Sequence, residues 1–316
     1  MRASYDFAVK QPAYLGIEIG GTKLQLVLGD ERATILERQR CQVDKARGGA
    51  GIREQIARVI PNLIRDRDVA GVGVGFGGPV DWKRDKIACS HQIEGWSDFE
   101  LGRWLRSLTN APVRVDNDAN TAALGEGLLG AGKHTNPVFY VTLGSGVGGG
   151  LVVDGAIYHG MAPGEAEIGH LRLGKDGRIV ESRCSGWAVD KRIREEKREY
   201  PDSVLSKAIG QERGGEARHL AAAAERGDPF AQRILSEISD DLAFALSHVT
   251  HLMHPEMIVL GGGLSLIREP LRAGVETALP QYVMQAFHPI PRIGLAGLGE
   301  DAVPIGALLL ARTAKG

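Results

Sequence analysis

The sequence predicts an α/β protein made of two related halves, and three features predict it. Strand-like and helix-like patterns alternate along the chain, which favours sheets covered by helices. A unit of strand, glycine turn and second strand stands at residues 14–29 and returns at 138–153. Repetition of one design points to two copies of one structural plan. The length, 316 residues, suits two domains of about 100–200 residues each.

The elements follow in order. Tyr14–Ile19 and Lys23–Gly29 read as strands pinched into a hairpin by Gly20-Gly21. In residues 50–66 the spacing of Ile52, Ile56, Val59, Ile60 and Leu63 predicts one apolar helical face. Gly71–Gly75 reads as a buried strand entering the loop Phe76-Gly77-Gly78-Pro79, and Leu101–Leu108 as a short helix. Val113–Val115 is a brief strand running into Asp116-Asn117-Asp118, followed by an Ala- and Leu-rich helix over Asn120–Leu129. The Gly/Pro-containing stretch 130–137 is the expected linker.

The second half opens with the strand Val138–Leu143, the loop Gly144–Gly150 and the strand Leu151–Val153. Helices are expected near 187–200, 204–209, 215–226 and 228–253, then a strand Met257–Leu260 and the turn Gly261-Gly262-Gly263. The expected division is 1–130 and 131–302, with an apolar closing helix over 303–316 packing back on the first half.

Composition excludes several classes. Hydrophobic residues at 43% and charged residues at 24% describe a globular chain with a real core, not a disordered one. A net charge of −1 gives no bulk attraction to nucleic acid or anionic lipid. Cys41, Cys89 and Cys184 form no CxxC pair, so the spacing indicates neither a disulfide framework nor a zinc knuckle. The first fourteen residues lack the apolar stretch of a signal peptide, and no run is long enough to span a bilayer. A reducing cytoplasm is the expected location. The 43 glycines are nearly twice the ordinary ~7% usage, and imply tight turns or close backbone approach to ligands.

Gly144–Gly149 satisfies G-x-G-x-x-G. A dinucleotide site would need a helix N-terminus directly after it, to meet the pyrophosphate. LVVDGAIYHG follows instead and is β-like, so that reading fails; no P-loop pattern occurs either. A glycine hairpin can still bring backbone N–H groups to phosphate oxygens. Two such hairpins, the first followed by Thr22 and Lys23, favour phosphate binding over a pair of plain turns.

Glu18–Lys23 (EIGGTK) resembles the phosphate motif D/E-x-G-G-T-K of the ROK family of repressors, open reading frames and kinases. The remaining motifs follow in the family's order. Gly75–Asp81 (GFGGPVD) resembles G-x-P-G-P-V-D, and Gly95-Trp96 its G-W. Asp116–Asn120 (DNDAN) with Leu124-Gly125-Glu126 resembles E-N-D-A-N…L-G-E, and Thr142–Gly150 resembles T-L-G-T-G-x-G-G-G. Glu167–His170 matches E-x-G-H, residues 255–263 resemble P-E-x-I-V-L-G-G-G, and Leu298–Ala307 the closing L-G-x-x-A…I-G-A. The resemblance spans about residues 14–311. It implies a two-lobed actin-like ATPase (RNase H-like) fold with a cleft between lobes.

What the resemblance implies chemically is ATP-dependent phosphorylation of a hexose, glucose first, with Mg²⁺. Phosphoryl transfer asks for positioning and charge neutralisation, and a carboxylate in reach of the sugar hydroxyl takes its proton. Asp118 matches the family's catalytic Asp. An Asp before an Ala-rich helix would otherwise read as an N-cap. Gly78, Asn117, Asp118, Glu167, His170 and Glu181 match sugar-side positions. Glu18, Gly20, Gly21, Thr22, Lys23, Thr142, Gly144, Ser145 and Gly146 match the phosphate side, and Gly262 and Gly263 the adenosine side. Glu18 replaces the commoner Asp and would orient Mg²⁺, directly or through water.

Most of the family carries C-x-C-G-x-x-G-C after E-x-G-H, a set that holds structural zinc. Here His170 is followed by LRLGKDGRI, Val180-Glu181 aligns with L-E, and Ser185-Gly186 with S-G, so the cysteine loop is absent and zinc is not expected. Gly77 stands where the family has Pro, and Gln92 near its usual Asn before G-W, which leaves the sugar open among glucose, fructose, mannose, allose and N-acetylated hexosamines. The expected partners are a small sugar and ATP, with neither nucleic acid nor membrane; polyphosphate as donor stays open, and a homodimer is a weak family expectation. A ROK repressor would need a helix-turn-helix ahead of the fold, and only about a dozen residues precede Tyr14. A sugar sensor without turnover is the other alternative.

Overall fold

A computed structural model of the chain describes residues 12–65, 67–90, 93–164 and 166–314. Most of the N-terminal stretch read against a signal peptide, and Gln92, lie outside the described residues. The elements are β1 (Ala13–Ile19), β2 (Lys23–Gly29), β3 (Ile35–Gln42), α1 (Gly48–Ile64), β4 (Val69–Phe76), β5 (Val80–Asp81), β6 (Lys86–Ile87), α2 (Leu101–Thr109), β7 (Val113–Asn117) and α3 (Asp118–Leu128). They continue with β8 (Val138–Leu143), β9 (Val147–Val153), β10 (Ala156–Ile157), α4 (Val180–Cys184), α5 (Gly186–Glu196), α6 (Val204–Ile209) and α7 (Leu220–Glu225). Last come α8 (Pro229–Met253), β11 (Met257–Gly261), α9 (Glu269–Ala278), β12 (Arg292–Leu295) and α10 (Ala302–Arg312).

Two compact units result. Of the described residues, the first holds those up to Ala122, Met161–Gly164 and those from Val303 on; the second holds Ala123–Gly160 and 166–302. Each contains a five-stranded sheet, ordered β3-β2-β1-β4-β7 in the first and β10-β9-β8-β11-β12 in the second. In both, three antiparallel strands precede two parallel ones. The repeat seen in the sequence is therefore a repeat of sheet plan.

In the first unit, Ile52, Ile56, Ile60 and Leu63 of α1 pack with Leu15, Ile17, Leu24 and Leu26 of the sheet. Burying each such side chain stabilises by about 1.5–3 kcal/mol. The other face explains the sequence GVGVG. Side chains alternate along a strand, so Val72 and Val74 enter the core while Gly71 and Gly73 face α10. A Cβ on either glycine would overlap the Ala311 or Ala307 carbonyl oxygen of that helix. In the second unit, Ile234, Ile238, Leu242 and Leu246 of the long α8 join Val141, Ile258 and Leu260 in one core.

Several elements depart from expectation for physical reasons. β3 reads as charged surface because ILERQRCQ is an edge strand with mostly exposed side chains, where charges block further pairing. The expected loop 144–150 ends early: β9 starts at Val147, so Gly148–Gly150 are strand. Gly149 lets the 166–168 segment cross closely, since its Cβ would lie 2.7 Å from the Ala166 carbonyl oxygen. The expected helix 215–226 is a 3-10 turn, Glu216–His219, followed by α7. The division between units falls inside α3, upstream of 130–137. Thr121 there sits under α10, where a Cβ on Gly306 would overlap its carbonyl oxygen, whereas Gly127 packs on Val152.

Candidate active site

In the first unit, β1, β4 and β7 run parallel, and Ile19, Phe76 and Asn117 stand side by side at their C-terminal ends. Ligands of open α/β sheets gather at such ends. The β1–β2 turn closes there through the Gly20 N–H, which donates to the Lys23 carbonyl at 2.8 Å. Thr22 is exposed at its tip. Lys23 Nζ lies 3.6 Å from Glu18 Oε2, and the same oxygen accepts a hydrogen bond from the buried Gln25 amide. Glu18 is thus held in a cross-turn pair of opposite charges. Among the described residues no group of three His, Cys, Asp or Glu stands together as a metal site.

The loop after β4 lies against this turn. The Gly77 N–H donates to the Ile19 carbonyl at 2.8 Å, a bond that the family's Pro at this position would not make. A Cβ built on Gly77 would stand 3.4 Å from Asp118 Oδ2, 3.4 Å from the Ile19 oxygen and 3.5 Å from Gly20 Cα. The Asp118 carboxylate, the 77–78 loop and the first glycine turn therefore share one place.

Helix α3 is capped by Asn117, not by Asp118. Asn117 Oδ1 accepts from the Ala119 and Asn120 N–H groups at 2.8 and 3.3 Å, and its amide donates to the Gly78 carbonyl at 3.3 Å. Both ends of the Asn117 side chain therefore serve the fold. Asp116 Oδ1 fixes the same corner, accepting from the Asn117 N–H at 2.8 Å and the Asn120 amide at 2.9 Å. Asp85 pins β7 from the side through the Val115 N–H at 3.0 Å; burial pushes its carboxyl above the usual range against the pull of that bond and of Arg114 and Arg106. Glu126 of the L-G-E motif is structural: wholly buried, it accepts from the N–H groups of Ala131, Gly297 and Leu298.

The second unit repeats the glycine turn between β8 and β9. The Gly144 N–H donates to the Gly146 carbonyl at 2.9 Å, and the Gly186 N–H to the Gly144 carbonyl at 2.7 Å. Ser145 is exposed at the tip, and Thr142 pairs in register with Gly148 and Gly261. Gly262 has φ +79°, and a Cβ there would lie 2.5 Å from the Leu143 nitrogen; only glycine fits such a position. Beside these turns lies a cavity of about 360 Å³, lined by Gly144, Ser145, Trp187, Asp190, Gly263 and Leu266 among others. Trp187 and Leu266, both largely exposed, give it the apolar rim that suits a flat base. Asp190 shapes its floor by accepting from the Gly215 and Ala217 N–H groups at 2.8 and 2.7 Å. Sequence reasoning missed Trp187 and Asp190; the signal was their place directly after the aligned Ser185-Gly186.

Glu167 and His170 are exposed and flank a 3-10 turn, Ile168–His170; at three residues per turn they share one side. Glu181 is placed at the glycine turn, where Oε2 accepts from the Val147 N–H at 2.9 Å. Where the family has its cysteine loop, residues 171–180 form a small hairpin through Leu173 N–H to Arg178 O and Val180 N–H to Leu171 O. Cys184 is wholly buried in the core, and that burial pushes its thiol up. Cys41 and Cys89 belong to the other unit. These residues do not fit a three-thiolate, one-imidazole zinc site.

Residues 14–314 match the model of the ROK family. A glucokinase of Halalkalibacterium halodurans is 31% identical over 309 residues, 93% of this chain and 93% of that one. One of Thermotoga maritima is 30% identical over 301 residues, 93% and 95% of the two chains. A solved ROK family glucokinase from Streptomyces griseus, in complex with glucose and AMPPNP, gives a TM-score of 0.81 at 29% identity, over 96% of this chain and 100% of that one. With its two five-stranded mixed sheets, the fold is the actin-like ATPase fold of such structures. The chain therefore belongs to the ROK family.

Proposed function

We propose that this ROK protein is an ATP-dependent hexose kinase, with glucose as its preferred sugar and Asp118 as general base. The observation that carries this reading is the Asp118 carboxylate beside Gly77 and the first glycine turn, with helix capping assigned to Asn117 instead. The glucokinases that resemble the chain at 30–31% identity support the sugar.

In this reading Asp118 accepts the proton of the sugar hydroxyl as that oxygen bonds to the γ-phosphorus, while the bond from that phosphorus to the β–γ bridging oxygen breaks and ADP leaves. Gly20, Gly21, Thr22 and Lys23 meet the phosphates from the first turn, and Thr142, Gly144, Ser145 and Gly146 from the second. Gly262 and Gly263 meet adenosine, Gly263 lining the cavity rimmed by Trp187 and Leu266. Gly78, Glu167 and His170 face the sugar, Asn117 mainly holds the loop that carries it, and Glu181, though aligned with a sugar position, serves the second glycine turn through the Val147 N–H. Mg²⁺ bound with ATP would neutralise phosphoryl charge, and Glu18 would orient it directly or through water. The chain works without structural zinc, and one zinc per chain by elemental analysis would refute that.

The test is ADP release from ATP and Mg²⁺ across glucose, fructose, mannose, allose and N-acetylglucosamine. Glucose should give the highest kcat/KM. Release no faster than the sugar-free blank with every sugar would refute the kinase reading.

A further inference from the structure

Glu181 aligns with a family glutamate that contacts the sugar, yet its carboxylate is found on the backbone of the second glycine turn. Oε2 accepts the Val147 N–H at 2.9 Å. The same oxygen lies 2.5 Å from where a Cβ on Gly146 would stand. The Val147 carbonyl is pressed on its other side by Gly169 of the Glu167–His170 turn, where even a methyl group would overlap it. Val147, which closes the turn, is thus bonded at its N–H by Glu181, and its C=O is approached so closely by Gly169 that no Cβ fits there. The other limb of the turn is held by the Gly186 N–H on the Gly144 carbonyl at 2.7 Å. Residues 181–190 consequently bind both limbs and then, through Trp187 and Asp190, line the neighbouring cavity.

We infer that Glu181 is a positioning residue of the nucleotide site: it braces the Gly144–Val147 turn in the shape that presents its N–H groups to phosphate. The inference rests on the kinase reading for its consequence, and on the Glu181–Val147 bond alone for its mechanism. A turn that needs no rearrangement before binding loses less conformational entropy on meeting its ligand. The hairpin 171–180 matters here because it delivers Val180 and Glu181 to the first turn of α4 without a metal.

Three variants test it. Glu181→Gln keeps an oxygen acceptor for the Val147 N–H, Glu181→Ala removes it, and Gly146→Ala displaces the carboxylate by its methyl group. In the ligand-free protein, hydrogen exchange of the peptide containing Val147 should quicken about tenfold or more in Glu181→Ala and Gly146→Ala and little in Glu181→Gln. Calorimetry should show affinity for a non-hydrolysable ATP analogue falling about tenfold in the same two variants, with glucose affinity within about twofold of wild type. Glu181→Ala with Gly146→Ala should be no worse than either alone, because both remove one bond. Unchanged exchange in Glu181→Ala, or a loss confined to glucose affinity, would overturn the brace. The exchange result stands even if wild-type protein releases no ADP with any sugar, so failure of the kinase reading is distinguishable from failure of this one.

Discussion

The two glycine turns have the same place in two sheets of the same order, and they are stabilised in different ways. The β1–β2 turn is held from within, by its Gly20–Lys23 hydrogen bond and by Lys23, Glu18 and Gln25 across the hairpin. The β8–β9 turn has its own Gly144–Gly146 hydrogen bond but no charged residue between Thr142 and Val147, and its further support comes from outside, from Glu181 and Gly186. One turn holds a cation, Lys23, paired with Glu18; the other holds only backbone groups, fixed by residues distant in sequence. A repeated backbone plan can therefore be stabilised by charge in one copy and by distant backbone-binding residues in the other.

The comparison can be broken at its tightest point first. Gly262→Ala forces a side chain onto φ +79° and against the Leu143 nitrogen beside the second turn. It should cost about 1–3 kcal/mol or more and lower the melting temperature clearly. Gly20→Ala in the first turn meets only the Lys23 carbonyl at 3.3 Å and should lose well under half as much by the same melt. Near-equal losses would mean the turns are not held differently. Next, Lys23→Ala should raise KM for ATP about tenfold, the value of one charge-assisted contact. The penalty should shrink as ionic strength rises, because salt screens a partly exposed charge. A salt-independent effect would assign Lys23 a packing role instead.

Much of the fold was legible because its signals are local. The apolar spacing of α1, the alternation in GVGVG and the Gly20-Gly21 pinch each depend on residues near in sequence. β3 and β12 were missed because an edge strand with charged side chains and a four-residue strand leave no period to read. At the site, motif resemblance singled out Asp118, but that Asn117 caps α3 could be seen only in the structure. Trp187, Asp190 and the bond from Glu181 to Val147 depend on loops brought together from distant positions, which spacing cannot reveal. Glu126 teaches the converse: a glutamate inside a family motif serves the fold, tying three backbone N–H groups.

The central claim is that the carboxylate at position 118 takes the sugar's proton. Turnover of glucose and ATP by Asp118→Asn, measured beside glucose affinity and the melting curve, tests it most directly. The account predicts a fall in kcat of about 10²–10⁴, with glucose binding and melting close to wild type. A variant that keeps wild-type kcat, folded and saturated with both substrates, would contradict it.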